Sequence, residues 1–337
     1  MALSISCTVQ HDLVIYNLGL YPSPDMNYFS HNPLNRYSEL RPDAGQMEQL
    51  WQRDNARVLV VNDNMSLLLQ QETAKEAAML RRNEAEVLGQ IAQVRVYLGS
   101  EGEVPYFALG LEGLQDQLLT LLGDRYSLAD LRAIALELPQ QHSALLAYAR
   151  GMVHWNLRHR FCSNCGSATS SVQAGHVRQC LNGSCNSHHF PRTDSAIIVL
   201  ISEGDACLLG RQALWPKGMY ATIAGFLEPG ETLEQAVARE AKEETGVELQ
   251  SVTYHSSQPW PFPSSLMVGF MATARNRSLY RNDDELEDAR WFNRSEIKEG
   301  LLDGSLLLPP PVSIAYRLIR DWFNSDAAYS LEAIRSK

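Results

Sequence analysis

The sequence predicts a mixed α/β (α+β) protein of more than one domain, and three observations carry that reading. The chain has 337 residues, against about 100–200 for a typical domain. Short runs of β-type residues alternate with stretches of helical spacing on both sides of residue 160. Four of the six cysteines crowd between Cys162 and Cys185 and divide the chain there. With 45% hydrophobic and 20% charged residues, disorder, collagen and coiled coil are poor fits. The balance of 29 Lys+Arg against 39 Asp+Glu is −10, which excludes a broad coat for nucleic acid and leaves a small basic or metal-bridged phosphate site open. The longest apolar run, Ala196–Ile201, falls far below the roughly 20 residues of a membrane span. Met1–Asn17 has no Lys or Arg, and the chain closes on Arg335-Ser336-Lys337, so no address is readable and the expected compartment is the cytoplasm.

In the first part of the chain, Arg57–Val61 and Ser66–Gln70 flank Asn62-Asp63-Asn64, a hairpin by composition. Gln93–Leu98 and Tyr106–Leu109 read as further strands around a polar loop, Gly99–Val104. Ser127 is placed to cap a helix through Leu128–Leu138, and Ser143–His159 reads as an amphipathic helix leading into the cysteines. No internal repeat is visible. Residues 1–157, read as a mixed α/β domain, hold no constellation that converts to chemistry.

Cys162 and Cys165 form a Cys-x2-Cys pair; fourteen residues later Cys180 and Cys185 form Cys-x4-Cys. Two thiolate pairs on tight turns, joined by a hairpin-sized segment, suit one tetrahedral Zn²⁺ per chain, a structural site with no open position. A reducing compartment disfavours the disulfide alternative. The second gap is longer than usual, so His188 or His189 is an alternative to Cys185. Residues 158–191 are therefore expected to be a zinc ribbon, and Cys7 and Cys207 plain small side chains.

Beyond the cysteines, Ala196–Ser202 and Ala206–Gln212 read as strands. From Gly225 the chain gives a loop, a helix and a stop: Thr232 with Gln235 has the form of a capping box, and Gly246 is a natural terminator of a helix Leu233–Thr245. At 100° per residue Leu233, Val237, Glu240 and Glu244 share one stripe, with Glu243 beside it. A solvated charged face would put glutamates opposite the aliphatics. Glu240 and Glu244 instead run along them, where an unpaired carboxylate is costly. A cation is expected to compensate, and oxygen-only donors suit Mg²⁺ or Mn²⁺. Arg239 is placed to pair with Glu231 and hold the loop on the helix.

These residues, Gly225, Glu231, Arg239, Glu240, Glu243, Glu244 and Gly246, fall at the spacing of the Nudix box, and the chain resembles the Nudix hydrolases. Ala241 replaces a bulkier aliphatic, which touches packing only. The resemblance implies an α/β/α sandwich with a mixed sheet over residues 192–322, followed by a helical tail, 323–337. It also implies hydrolysis of a nucleoside diphosphate linked to another group, with more than one catalytic divalent ion.

Further along lies Gln258-Pro259-Trp260-Pro261-Phe262-Pro263-Ser264-Ser265 after Ser257. Alternating prolines make such a stretch stiff and extended, presenting rings either to a base or to the core. With the zinc ribbon ahead of the box, the array is similar to that of the NADH pyrophosphatase subfamily, and the resemblance implies that residues 258–265 contact substrate. It implies, further, stacking rings at Phe190, in place of the usual Tyr, and at Phe226; metal contacts from the Ala224 carbonyl, Glu240, Glu243, Glu244 and Glu285; a substrate contact at Ala315; and a homodimer with Phe190 acting across subunits. Of these, Glu244 and then Glu243 are the candidate catalytic carboxylates. The implied substrates are NADH or NAD⁺, cleaved to NMNH or NMN and AMP, and the same dinucleotide as an RNA cap. Another Nudix activity, on ADP-ribose or a dinucleotide polyphosphate, and a non-catalytic zinc-ribbon module are the alternatives.

Overall fold

A computed structural model describes residues 26–70, 75–280 and 285–335; Met1–Asn17, Cys7 and Ser336-Lys337 lie outside them. Helix α1 (Ala44–Trp51) precedes strands β1 (Arg57–Asn62), β2 (Met65–Gln70), β3 (Lys75–Ala77) and β4 (Leu80–Arg81). Helix α2 (Glu86–Ile91), β5 (Val94–Glu101), β6 (Val104–Leu111), α3 (Gln115–Leu122), β7 (Tyr126–Ala129), α4 (Leu131–Ile134) and α5 (Gln140–Arg158) complete the first half. The small sheet β8 (Thr169–Val172), β9 (Val177–Cys180) and β10 (His188–His189) follows. The second half comprises β11 (Asp194–Glu203), β12 (Ala206–Arg211), β13 (Ile223–Phe226), α6 (Leu233–Thr245), β14 (Leu249–Trp260), β15 (Ser265–Ala274), β16 (Asp288–Asn293), α7 (Arg294–Asp303), α8 (Ile314–Phe323) and α9 (Leu331–Arg335).

The expected first hairpin forms, and its turn is Asp63-Asn64, both at positive φ (49° and 66°), as the twist of a two-residue hairpin requires. Two expectations fail nearby. Gly99–Val104 is not a loop: β5 and β6 run on to turn at Gly102-Glu103, with a register shift at Gly99, where the Asn35 carbonyl comes too close for any side chain. Ser127 caps no helix, because Tyr126–Ala129 pairs with β2; the cap is Asp130, whose carboxylate accepts from the Arg132 N–H at 2.7 Å, and the helix that follows is one α turn, Leu131–Ile134, and one 3₁₀ turn, Ala135–Glu137. Pairing across the sheet overrides local helical spacing.

The two halves repeat one topology, although no repeat is visible in the sequence. In the first, β1 pairs antiparallel with β2 and β4 and parallel with β6, β6 pairs with β5, and β7 returns to β2. In the second, β11 pairs antiparallel with β12 and β13 and parallel with β15, β15 pairs with β14, and β16 returns to β12. Each sheet is buried on both faces, the second between α6 on one side and α8 on the other. Where the second half carries the 13-residue α6, the first has the six-residue α2.

The small sheet is plugged into the first half. Gly175 (φ 90°) lies where a Cβ would meet Val96 and the Arg95 carbonyl at 2.8 and 3.0 Å, and buried Asn156 donates to the Gly175 carbonyl at 2.8 Å. The His176 ring donates from Nε2 to the Tyr97 carbonyl at 2.7 Å, and burial pushes its imidazole down to about 4. The unfolded chain protonates this ring below about 6.5 while the folded chain keeps it neutral, so stability drops as pH falls from about 6.5 to about 4. His176→Gln should flatten this part of the pH dependence of urea unfolding relative to the parent. Equal slopes for the two proteins would exclude His176 as its source.

Candidate active site and zinc site

Capping at both ends holds α6 where the sequence places it. The Thr232 side chain accepts from the Gln235 N–H, Gln235 accepts from the Thr232 N–H, and Gly246 closes the helix at φ 71°. Val237 is fully buried, and Glu240 and Glu244 go in with it, at 8% and 3% exposure. Gly225 makes this possible. A Cβ there would overlap the Glu240 carboxylate, so β13 must carry glycine for the acid to lie against the strand. In the first half the strand in this position is Leu80–Arg81, with no glycine. Gly225→Ala should therefore expel Glu240 and lower activity by about 100-fold, the scale of a displaced catalytic group, with the far-UV spectrum retained. Activity within a factor of two would show that the fit is not needed.

Arg239 does more than pair with one loop acid. It grips Glu231 with two bonds (2.7 and 3.0 Å), donates to the Phe226 carbonyl at 2.9 Å, and shares Nη1 between Glu240 (2.8 Å) and Glu243 (3.0 Å). This bonding, with the Glu228 N–H, holds the Glu231 carboxyl below its usual range. At Glu240 burial wins and pushes the carboxyl up against the pull of Arg239, with Glu243 and Glu285 adding to the rise. A carboxylate raised by burial and by like charge is a site that a divalent cation would relieve. The donor chemistry therefore fits Mg²⁺ or Mn²⁺. The expected cluster is looser than its sequence density implies: among the described residues, only the four cysteines bring three or more such ligand atoms within 4.8 Å of one another.

The cysteines converge as expected. Cys162 and Cys185 Sγ lie 3.8 Å apart, Cys165 and Cys180 3.5 Å. A tetrahedron with arms of about 2.3 Å has edges of about 3.8 Å, the geometry of a Cys₄ zinc site, and the sulfurs are too far apart for disulfides. Ser167 pulls the Cys165 thiol down to about 6, whereas burial pushes Cys180 up to about 12; a central cation would favour the thiolate at all four. Neither histidine replaces Cys185. His189 stands behind the ligands, with Nε2 3.2 Å from Cys162 Sγ. Cys207 is fully buried, and its thiol is pushed up by that burial.

Phe190 and Phe226 are open rings, 59% and 61% exposed, and Ala224 lies two residues before Phe226 in β13. The proline array lies in two settings. Gln258 is fully buried: it donates to the Tyr28 and Val312 carbonyls and accepts from the Ile314 N–H at 2.8 Å, so it holds the start of α8. Trp260 and Phe262 pack edge-on against each other and against Phe29, under Arg132 and Arg150, as a seam with the first half. Pro259, Trp260, Pro261, Ser264 and Ser265 still line a large cavity; Gln258, Phe262 and Pro263 do not. Ala315 is 4% exposed in the first turn of α8, its N–H bonded to the Ser313 hydroxyl. The cavity also brings in Arg36, Arg192 and Arg317, which the sequence reading missed because they lie far apart in the chain.

The fold and the box helix together define a Nudix hydrolase. Residues 191–307 match the model of the NUDIX domain, residues 157–190 that of the NADH pyrophosphatase zinc ribbon domain, and residues 55–155 that of the NADH pyrophosphatase-like rudimentary NUDIX domain, in keeping with the repeated topology. The chain is 34% identical to the human NAD-capped RNA hydrolase NUDT12 over 340 residues, covering 88% of this chain and 73% of that protein. It is also 34% identical to the NAD-capped RNA hydrolase of Schizosaccharomyces pombe, over 90% and 96% of the two chains. Identity to the human mitochondrial NAD(P)H pyrophosphatase NUDT13 is 37%, over 61% and 62%. The protein belongs to the NADH pyrophosphatase family of Nudix hydrolases. Among the described residues no helix is long and apolar enough to cross a membrane.

Proposed function

We propose that the protein hydrolyses the pyrophosphate bond of NADH and NAD⁺ to NMNH or NMN and AMP, and removes the same dinucleotide from RNA 5′ ends. The observation that carries this reading is the seating of Glu240 against Gly225, with Glu244 buried on the same helix, in a chain whose relatives bear the names of NAD-capped RNA hydrolases and NAD(P)H pyrophosphatases. In this reading Glu240, Glu244 and Glu285, with Glu243 and the Ala224 carbonyl, hold more than one Mg²⁺ or Mn²⁺. Bound there, such ions supply neutralisation of the bridging phosphates and a water of lowered pKa. Glu244 is the carboxylate on which that centre depends most, and Arg239 keeps the box loop on the helix while leaving carboxylate charge in excess. The open rings of Phe190 and Phe226 offer stacking surfaces for nicotinamide or base. We assign Phe190 to the partner's site of a homodimer, and the protein to the cytoplasm, although relatives are named chloroplastic and mitochondrial.

A substrate panel tests the reading. NADH, NAD⁺, ADP-ribose, a dinucleotide polyphosphate and NAD-capped and triphosphate RNA are compared by turnover, with Mg²⁺ or Mn²⁺. Preference for NADH and NAD-capped RNA is expected. Equal or better turnover of ADP-ribose or the polyphosphate would overturn the specificity.

A further inference from the structure

A cavity of about 1130 Å³ lies between α5 and residues 26–36 of the first half and β14 of the second. Small-molecule sites run to about 300–1,000 Å³, so this one has room for more than a single compact ligand. Its thirty lining residues include three arginines, Arg36, Arg192 and Arg317, and no Asp or Glu, where the chain average of 39 in 337 would supply three or four. The carboxylates at its margin are engaged: Asp194 accepts from Ser264 at 2.7 Å, and Asp321 is held by His255 at 3.0 Å, by Arg320 and by Arg317 at 3.4 Å, which leaves Arg36 and Arg192 as the cavity's cations without an ion pair among the described residues. Aromatic rings alternate with the cations. Arg36 lies 3.4 Å over the Tyr148 ring, and Trp260 and the exposed Tyr254 face the same space. Arg192 is exposed and makes no ion pair among the described residues.

The cavity adjoins the hydrolytic centre through β11: Phe226, next to Gly225 in β13, stands opposite Ala196, while the cavity residue Leu266 stands opposite its neighbour Ser195. Cations interleaved with rings, without competing carboxylates, are what single-stranded nucleic acid requires of a protein surface: charge for the phosphates and faces for the bases.

We propose that this cavity takes the first nucleotides of the RNA body that follows the cap, with Arg36 and Arg192 on its phosphates. The proposal rests on cap removal as a function of the protein and adds the residues that separate capped RNA from free NADH. A free mononucleotide offers the same phosphate and base, and the test must distinguish the two.

In the full chain, Arg36→Glu and Arg192→Glu are made singly and together and assayed on NADH and on a short NAD-capped RNA. Each is expected to leave kcat/KM for NADH within about two-fold, while kcat/KM for capped RNA falls about ten-fold or more through KM; the salt slope for RNA should drop by about one for each arginine removed. The corresponding lysine variants should recover most of the loss. Equal losses on both substrates, or none on RNA, would overturn the proposal. Binding of a fluorescent uncapped RNA reads the cavity without hydrolysis, so it stands even if neither substrate is cleaved: the parent should bind more tightly than the double variant, and equal binding overturns the cavity assignment. AMP displacing that RNA at the RNA's own affinity would make the cavity a mononucleotide site and defeat it as well.

Discussion

Replacing Glu244 by Gln is expected to lower NADH hydrolysis about 1,000-fold or more, the scale on which removing a group that stabilises transition-state charge acts. Gln keeps the shape of Glu244, which is 3% exposed at the edge of the α6 core, so the far-UV spectrum should be retained. Linkage supplies a further readout: Mn²⁺ should raise the parent's thermal midpoint, since a ligand bound only by the folded state stabilises it, and should do so far less in the variant. Hydrolysis by the variant within about ten-fold of the parent, or an undiminished Mn²⁺ shift, would remove Glu244 from the centre.

Loss of the zinc site should have the largest effect on the fold. Metal analysis is expected to return about one zinc per chain, and Cys162→Ser or a strong chelator should melt the Cys162–Cys185 segment, whose small sheet has little core of its own. The damage should not stop there. Through Gly175, Asn156 and His176 the ribbon turn is set into β5 and α5, so backbone amides of Val94–Tyr97 should lose hydrogen-exchange protection together with the ribbon. The α6 box helix, seated on the other half, should keep its protection longer. Native melting and exchange in a zinc-free chain would show that four neutral thiols suffice.

The parts of this molecule legible in its sequence are those set by local chemistry. The capping box and Gly246 bound α6 within the chain itself, the Glu/aliphatic stripe marked Glu240 and Glu244 as buried, and the cysteine spacing reported the zinc geometry. What the sequence hid depends on partners remote in the chain. Ser127-Leu128 carries helical spacing, yet its pairing with Leu67 and Leu68 makes it a strand. Gln258 holds the start of α8 through Tyr28, Val312 and Ile314, none of them near it in the chain. Asp43 capping α1 ahead of Met47, Leu50 and Trp51 was a readable signal that went unread. The repeated topology is not visible as an internal repeat in the residues, because the first half has no box, and the order of strand pairing displays it.

That repetition bears on how the chain assembles. Each half must close a parallel pair, β1 with β6 or β11 with β15, across a long intervening segment, a slow kind of contact to form. Two sheets of matching strand order within one polypeptide offer each other near-native edges while both are incomplete, the setting in which halves exchange strands and aggregate. Between them runs the ribbon, whose three strands pair only with one another, within Thr169–His189. A segment that can form early, and that a single ion can lock, acts as a kinetic partition between the halves. Refolding yield should therefore depend on zinc being present while the chain folds, more steeply than the finished protein depends on keeping it.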